Sequence, residues 1–398
     1  MISLARARSC INRFHPLGPV TVSSDKALGL FCGSDIAAEA DCPSIASSLK
    51  DGFAVHSADI VHASRNHPVQ LALVGTVTAG GQSTARVRAG QTIRIMTGAP
   101  IPEGTDAVLA SEFASQEGTT VHAFADAHPG RNILDRGSDV AVGDTILARG
   151  TRLFPAHLGL LAAAGVTRVA VYKKPKVIIV ATGSELVAPD ERITPGKIAA
   201  SNLATLLAEA QSLGLEADWL LIRDNLSQLQ KTVAPLIGSY DVILTCGGVL
   251  DGDKDFTVRA MEELGVEPIF HRVRVGPGKG VCLGTKDNSS IFNLPGGPPS
   301  NHVAYLLLAK AGILRLCGAM DPFADYLMAR LNESLPGQQG WTQVFYGNLD
   351  RDGERRTVTP LIGCSRLQAM AEADCLIEIP EEYPGADAGT IQKIWKIR

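Results

Sequence analysis

The chain has 398 residues, 45% of them hydrophobic and 20% charged, ordinary proportions for a globular protein that is too long for one core and should form roughly two to four domains. A formal net charge of −4 argues against a nucleic-acid surface, which needs clustered Lys and Arg. Its eight cysteines include no C-x-x-C pair, which argues against a zinc ribbon and suits reduced thiols in the cytoplasm.

The opening "MISLARARSCINRFHPLGPV" has no continuous apolar run and does not read as a signal peptide. Residues 1–40 mix short helical patterns. From 67 to 134, β-branched runs alternate with turns ("VQLALVGTVTAGG", "QTIRIMTGAPIPEGTDAVLA", "TVHAF") and predict a small β-rich domain. "GSDVAVGDTILARGTRL" repeats turn and strand, and "PAHLGLLAAAG" predicts a short helix closed by Gly165.

The texture changes at 175. "PKVIIVATG" is a continuous apolar run, expected of a strand covered on both faces. "SNLATLLAEAQSLG" has helical spacing with Ser201 as the expected N-cap and Gly214 at its end. "DWLLIRD" reads as a strand, "SQLQKTVAPLIGS" as a helix stopped or kinked at Pro235, "DVILTCGG" as a strand, "FTVRAMEELG" as a helix and "IFHRVRV" as one strand. "SIFNLPGGPPSNHVAYLLLAKAG" runs from strand through turn to helix; Lys310 and Arg315 break its apolar stretch, so it is no membrane span. Strands alternating with helices predict βαβ units and a mostly parallel sheet, whose ligands lie at the carboxyl ends of its strands. Beyond 321, "WTQVFYGNLD", "RRTVTPLIG", "DCLIEIP" and "IQKIWKIR" predict a small β domain, with a hairpin turn at "DRDGE".

Several loops at those strand ends carry chemistry. In "LTCGGVLDGDKDF", Asp251, Asp253 and Asp255 fall at alternate positions with Glu262 further on. A calcium loop would need glycine where Phe256 stands and a helix where a strand enters. Two readings remain: a solvated acidic turn, or a glycine turn facing a phosphate while a carboxylate holds a divalent cation. "VGPGKG" offers Lys279, "LPGGPPSN" offers Ser300 and free amides, and "ATGSEL" offers Glu185. Each alone also fits a plain surface turn or a helix start; together they mark one edge. "DGFAV", with Asp51, and "MTGAPIPEG" read only as rigid functional loops.

Taken in chain order, "DGFAV", "RIMTGAPIPEGTDAV", "NILDRGSDVAVGDTIL", "ATGSEL", "GGVLDGDKD", "GPGKG" and "LPGGPPS" resemble the molybdopterin molybdenumtransferase family (MoeA and the E domain of gephyrin) over nearly the whole chain, most specifically in "RIMTGAPIPEGTDAV". The resemblance implies an α/β plus β fold in an elongated multidomain chain. Its parts would be a linking domain (1–40 and 135–165), a β-rich domain inserted in it (41–134), a molybdopterin-binding α/β domain with a doubly wound parallel sheet (166–320) and a C-terminal β-barrel (321–398). It implies a cytoplasmic homodimer with composite active sites, Mg²⁺, adenylylated molybdopterin and molybdate as substrates, AMP release, and a molybdopterin adenylyltransferase as a further partner. Carried over residue by residue, Asp51, Asp139, Asp224, Asp255 and Lys279 would be catalytic. Thr97, Glu185, Gly247, Gly248, Pro295, Pro298 and Ser300 would bind substrate, and Asp255 with Glu185 would hold the metal. The chain departs from the family pattern at Cys246, Leu250, Gly276 and Gly297, and in a looser match at Tyr346 and Cys364. A divergent non-catalytic pterin- or nucleotide-binding paralogue and a molybdopterin adenylyltransferase therefore stand as alternatives.

Overall fold

A computed structural model describes residues 1–81, 86–247, 256–323, 326–350, 356–363 and 365–397. Gly248, Leu250, Asp251, Asp253, Asp255, Cys364 and the "DRDGE" turn lie outside the described residues, except Asp350 of that turn. The chain forms two compact units, one of residues 21–28 and 34–170, the other of 1–20, 29–33 and 171–398.

In the first unit, six strands form a sheet in the order 107–110, 52–55, 91–95, 69–77, 120–123, 114–117. Only the pair of 69–77 with 91–95 is parallel. Alternate residues of the Gly52–Val55 strand serve two cores: Phe53 and Val55 pack with Leu71, Leu109 and Val121, and Ala54 with Val77, Ile93 and Ile95. This period of two, read from β-branched runs, is the expected β-rich region. The expected helix is present as Pro155–Ala163, and Gly165 beyond it has positive φ.

The second unit opens with α1 (Leu4–Ile11), which buries Leu4, Ala7 and Ile11. The elements that follow are β1 (Val177–Thr182), α2 (Ser201–Ser212), β2 (Ala217–Ile222), α3 (Leu226–Val233), β3 (Val242–Cys246), α4 (Phe256–Glu263), β4 (Glu267–His271), β5 (Val273–Gly276), β6 (Cys282–Lys286) and β7 (Ser289–Leu294). The sheet order is β2-β1-β3-β7-β6-β4. The first four strands are parallel, and β6 and β4 are added antiparallel at one edge. All six residues of β1 are buried, as its unbroken apolar run requires. One core packs Ile179, Leu203, Leu206 and Phe292 on one face of the sheet; the other packs Ile178, Val180, Leu229 and Met261 on the opposite face.

Three expectations need correction. Ser201 does not cap α2: it is already the first helical residue, and the capping position falls on Ala200, which has no side-chain acceptor and whose amide pairs with Val187 O at 2.9 Å. "IFHRVRV" is two strands, broken at Arg272, whose φ is +67°. β4 stays in the α/β sheet while β5 joins a different one. The α/β sheet also carries the antiparallel hairpin β6–β7, turned at Asp287 and Asn288, both with positive φ.

After β7 come α5 (Pro298–Ala304), a π-helical turn at Tyr305–Ala309 and α6 (Lys310–Leu316). Then β8 (Tyr326–Leu331), β9 (Thr342–Asp350), β10 (Thr357–Pro360), α7 (Arg366–Glu372), β11 (Cys375–Ile379) and β12 (Ile391–Lys396) complete the unit. The five strands close into a barrel through the ring β9-β10-β8-β12-β11-β9, around Leu331, Val358, Ile377 and Ile394. The strands flanking "DRDGE" pair antiparallel from Asp350 to Thr357. β5 extends the barrel sheet beside β9, and Ile2 and Ser3 pair with β5 in turn. Among the described residues no helix is long and apolar enough to cross a membrane.

Candidate functional site

The carboxyl ends of β1, β2, β3 and β7 lie side by side because those strands are parallel neighbours, so their loops share one rim. After β1, the chain turns through Gly183, whose amide donates to Ile222 O at 3.0 Å. The Ser184 amide donates to Asp224 Oδ2, and Ser184 Oγ accepts from the Asp224 amide, both at 3.2 Å. This reciprocal pair fixes the loop that carries Glu185 to the loop that carries Asp224. Both carboxylates are exposed. Glu185 Oε1 folds back over Gly183, 3.0 Å from where a Cβ would stand. Lys197 donates to Ser184 O at 2.5 Å.

The end of β3 meets β7 through glycine. Gly247 has φ +106°, and a Cβ there would lie 2.9 Å from both Thr182 O and Thr182 Oγ1. No L-side chain fits that conformation and space without displacement. Its amide donates to Leu294 O at 3.1 Å. The would-be Cβ of Gly296 is 3.6 Å from the Gly247 Cα, so the two turns touch. Two amide side chains then hold the turn after β7: Asn202 Nδ2 donates to Gly296 O at 2.8 Å and buried Asn301 Nδ2 to Pro295 O at 2.9 Å. Cys246 packs beside Asn301, and burial pushes its thiol up to about 12, which makes it an inert filler rather than a nucleophile.

The turn that carries Lys279 reaches the same place from the barrel side. Gly278, with φ +115°, stands against α5: a Cβ would be 3.6 Å from Ser300 O and from the Ala304 amide. Lys279 is exposed, its Nζ 5.8 Å from the centroid of the Trp341 ring. The structure thus brings together the loops of Glu185 and Asp224, and those of Gly247, Pro295, Pro298, Ser300 and Lys279. Gly248 and Asp255 lie outside the described residues, so the glycine pair and the acid ladder are represented by Gly247 alone.

In the other unit, Asp51 and Thr97 form a pair. Asp51 Oδ1 accepts from the Thr97 amide at 2.7 Å and from Thr97 Oγ1 at 2.8 Å. The amide bond first, then the hydroxyl and the charge of Arg94, hold the Asp51 carboxyl below its ordinary value. The neighbouring Gly52 lets strand 107–110 come close beside this pair: a Cβ there would stand 2.1 Å from Leu109 O. Asp139 is exposed, and its amide donates to Cys42 O at 3.0 Å.

Among the described residues no three His, Cys, Asp or Glu cluster as a ready metal site. Of the two residues expected to hold a metal, Glu185 stands exposed on the rim and Asp255 lies outside the described residues. Sequence reasoning missed Lys197, Asn202 and Asn301. Asn202 and Asn301 sit at or near helix starts, where they read as capping residues, and their true partners are loop carbonyls 94 and 6 residues away.

Comparisons with known proteins agree along the chain. Residues 2–165 match the MoeA N-terminal region (domains I and II), 178–313 a probable molybdopterin binding domain and 328–397 the MoeA C-terminal region (domain IV). The molybdopterin molybdenumtransferase of Staphylococcus epidermidis is 30% identical over 375 residues, covering 94% of this chain and 90% of the relative. That of Staphylococcus aureus is 29% identical over 382 residues, covering 95% and 91%. A crystal structure of the molybdopterin biosynthesis MoeA protein from Pyrococcus horikoshii OT3 superposes with a TM-score of 0.85 at 25% identity, covering all of both chains.

Proposed function

Because the chain belongs to the MoeA family of molybdopterin molybdenumtransferases, we propose that it is an enzyme of molybdenum cofactor biosynthesis that takes adenylylated molybdopterin and molybdate and releases AMP. The observation that carries this reading is the convergence of four loops on one rim, with Gly278 seated against Ser300 and the Ser184–Asp224 pair beside Gly247 and Gly296.

Cleaving the adenylate breaks a phosphoanhydride P–O bond, and negative charge grows on the departing AMP phosphate. Lys279 would meet that charge, while the turn amides and Ser300 would hold the phosphate that stays with the pterin. Asp224, fixed by Ser184, would orient the attacking water and take its proton. Glu185 and Asp255 would hold Mg²⁺, which supplies charge neutralisation on the diphosphate when bound. Asp51 and Thr97 of the β-rich domain and Asp139 of the linking domain of a second copy would complete the site, making the working protein a cytoplasmic homodimer. The Asp51–Thr97 pair supports this, since an exposed carboxylate held in one orientation is pre-organised for a partner. A molybdopterin adenylyltransferase would supply the substrate.

The test is AMP release by purified protein given adenylylated molybdopterin, molybdate and Mg²⁺. AMP should appear, and Asp255→Asn should suppress it. Tight pterin binding with no AMP would make this a binding paralogue. Transfer of AMP from ATP to free molybdopterin would make it an adenylyltransferase.

A further inference from the structure

One polar chain lies buried between the α/β layer and the barrel, and the chemistry above gives it no task. His302 on α5 is 5% exposed. Its Nδ1 is 3.1 Å from the Tyr346 hydroxyl on β9, and its Nε2 is 3.4 Å from Glu209 Oε1 on α2. The imidazole and phenol rings stack with 12° between planes. The other Glu209 oxygen is 3.5 Å from Lys310 Nζ. Burial acts to raise the Glu209 pKa, but the His302 hydrogen bond and the Lys310 charge outweigh it and hold the carboxyl below its ordinary value. Burial pushes the Tyr346 phenol up, so its hydroxyl stays protonated and can donate to Nδ1.

Such a network gains little stability over an apolar core of the same shape, because every group in it has lost water. What it adds is directionality, since its bonds form in only one register. Here the register matters. β9 pairs with β5 through Val275–Thr342 and Gly276–Gln343, and β5 leads directly into the Lys279 turn. Three residues along the same strand, roughly 10 Å at the rise of a β-strand, Tyr346 grips His302, two residues after Ser300. A slip of one residue would turn Tyr346 to the opposite face.

We propose that Glu209, His302 and Tyr346 are positioning residues that use β9 as a ruler, fixing the distance between Ser300 on α5 and the turn bearing Lys279. The kinetic arm of the test rests on the molybdenumtransferase reading; a second arm does not.

In the AMP-release assay, Tyr346→Phe keeps the ring and deletes one hydrogen bond. It should lower kcat about tenfold, with KM for adenylylated molybdopterin within about threefold, as expected when groups are misplaced rather than lost. His302→Phe should behave alike. His302→Gln, which can accept from Tyr346 and donate to Glu209, should recover most of the rate. Equal rates for the Phe and Gln variants, or wild-type kcat in Tyr346→Phe, would overturn the proposal. Hydrogen–deuterium exchange of wild type and Tyr346→Phe reads the same device without turnover. Residues 276–280 and 295–301 should both exchange about tenfold faster in the variant, and unchanged exchange in both would also overturn it. Wild-type protein that releases no AMP would remove the transferase reading and leave exchange to decide.

Discussion

Replacing Gly247 by alanine tests whether the rim is built on close backbone approach. Two costs are separable. A φ of +106° is unfavourable for any L-residue by about 1–2 kcal/mol. A Cβ at 2.9 Å from Thr182 O and Oγ1 must also displace the end of β1, an overpacking cost of about 1–3 kcal/mol. Gly196 provides the control: its φ is +80° with nothing within 4 Å of a Cβ, so Gly196→Ala bears the first cost alone. All three tryptophans, Trp219, Trp341 and Trp395, lie in the unit that contains both glycines. Guanidinium unfolding followed by their fluorescence therefore reads the right part of the chain. Gly247→Ala should be less stable than Gly196→Ala by about 1–3 kcal/mol. Equal stabilities would refute the argument that Thr182 blocks a side chain there, and with it the tight β1–β3 contact on which the rim depends.

Thr97→Val removes the hydroxyl bond to Asp51 but keeps the amide bond; AMP release should fall about tenfold with the unfolding curve unmoved, since the pair is exposed. Because the folded Glu209 carboxyl sits below its ordinary 4.5, its contribution is fully present above that pH and is lost as pH falls through the lowered value. Glu209→Gln should accordingly be less stable than wild type near neutrality, and pH-dependent unfolding should show the gap narrowing in acid. Glu378 is 8% exposed and accepts from Trp395 Nε1 at 2.6 Å and Arg8 Nη2 at 2.9 Å. Glu378→Ala strands a half-buried guanidinium and should cost about 3 kcal/mol in denaturant unfolding.

The sequence made legible much of what is local. The apolar run of β1 announces a strand buried on both faces, and Pro235 ends α3 where expected, at the short helical turn Ala234–Leu236. The break in "IFHRVRV" was not legible, because Arg272 takes its left-handed conformation to let two strands part for different sheets, a demand set by the barrel and not by its neighbours. α7 was missed among strands, although Ser365, which accepts from the Gln368 amide, forms a recognisable helix start. At the site, glycine turns and lone charged residues could be read from spacing and family likeness. The Asp51–Thr97 pair and the Glu209–His302–Tyr346 chain could not, since their members lie 46, 93 and 44 residues apart and nothing local requires them to meet.

The pairing of Ile2 and Ser3 with β5, and of Arg8 with Glu378 370 residues later, sets a schedule for biosynthesis. At ribosomal speeds of roughly 5–20 residues per second, Leu4, Ala7 and Ile11 wait on the order of half a minute for their cover to emerge. Until then the nascent helix carries an apolar stripe that only its own later segments can cover.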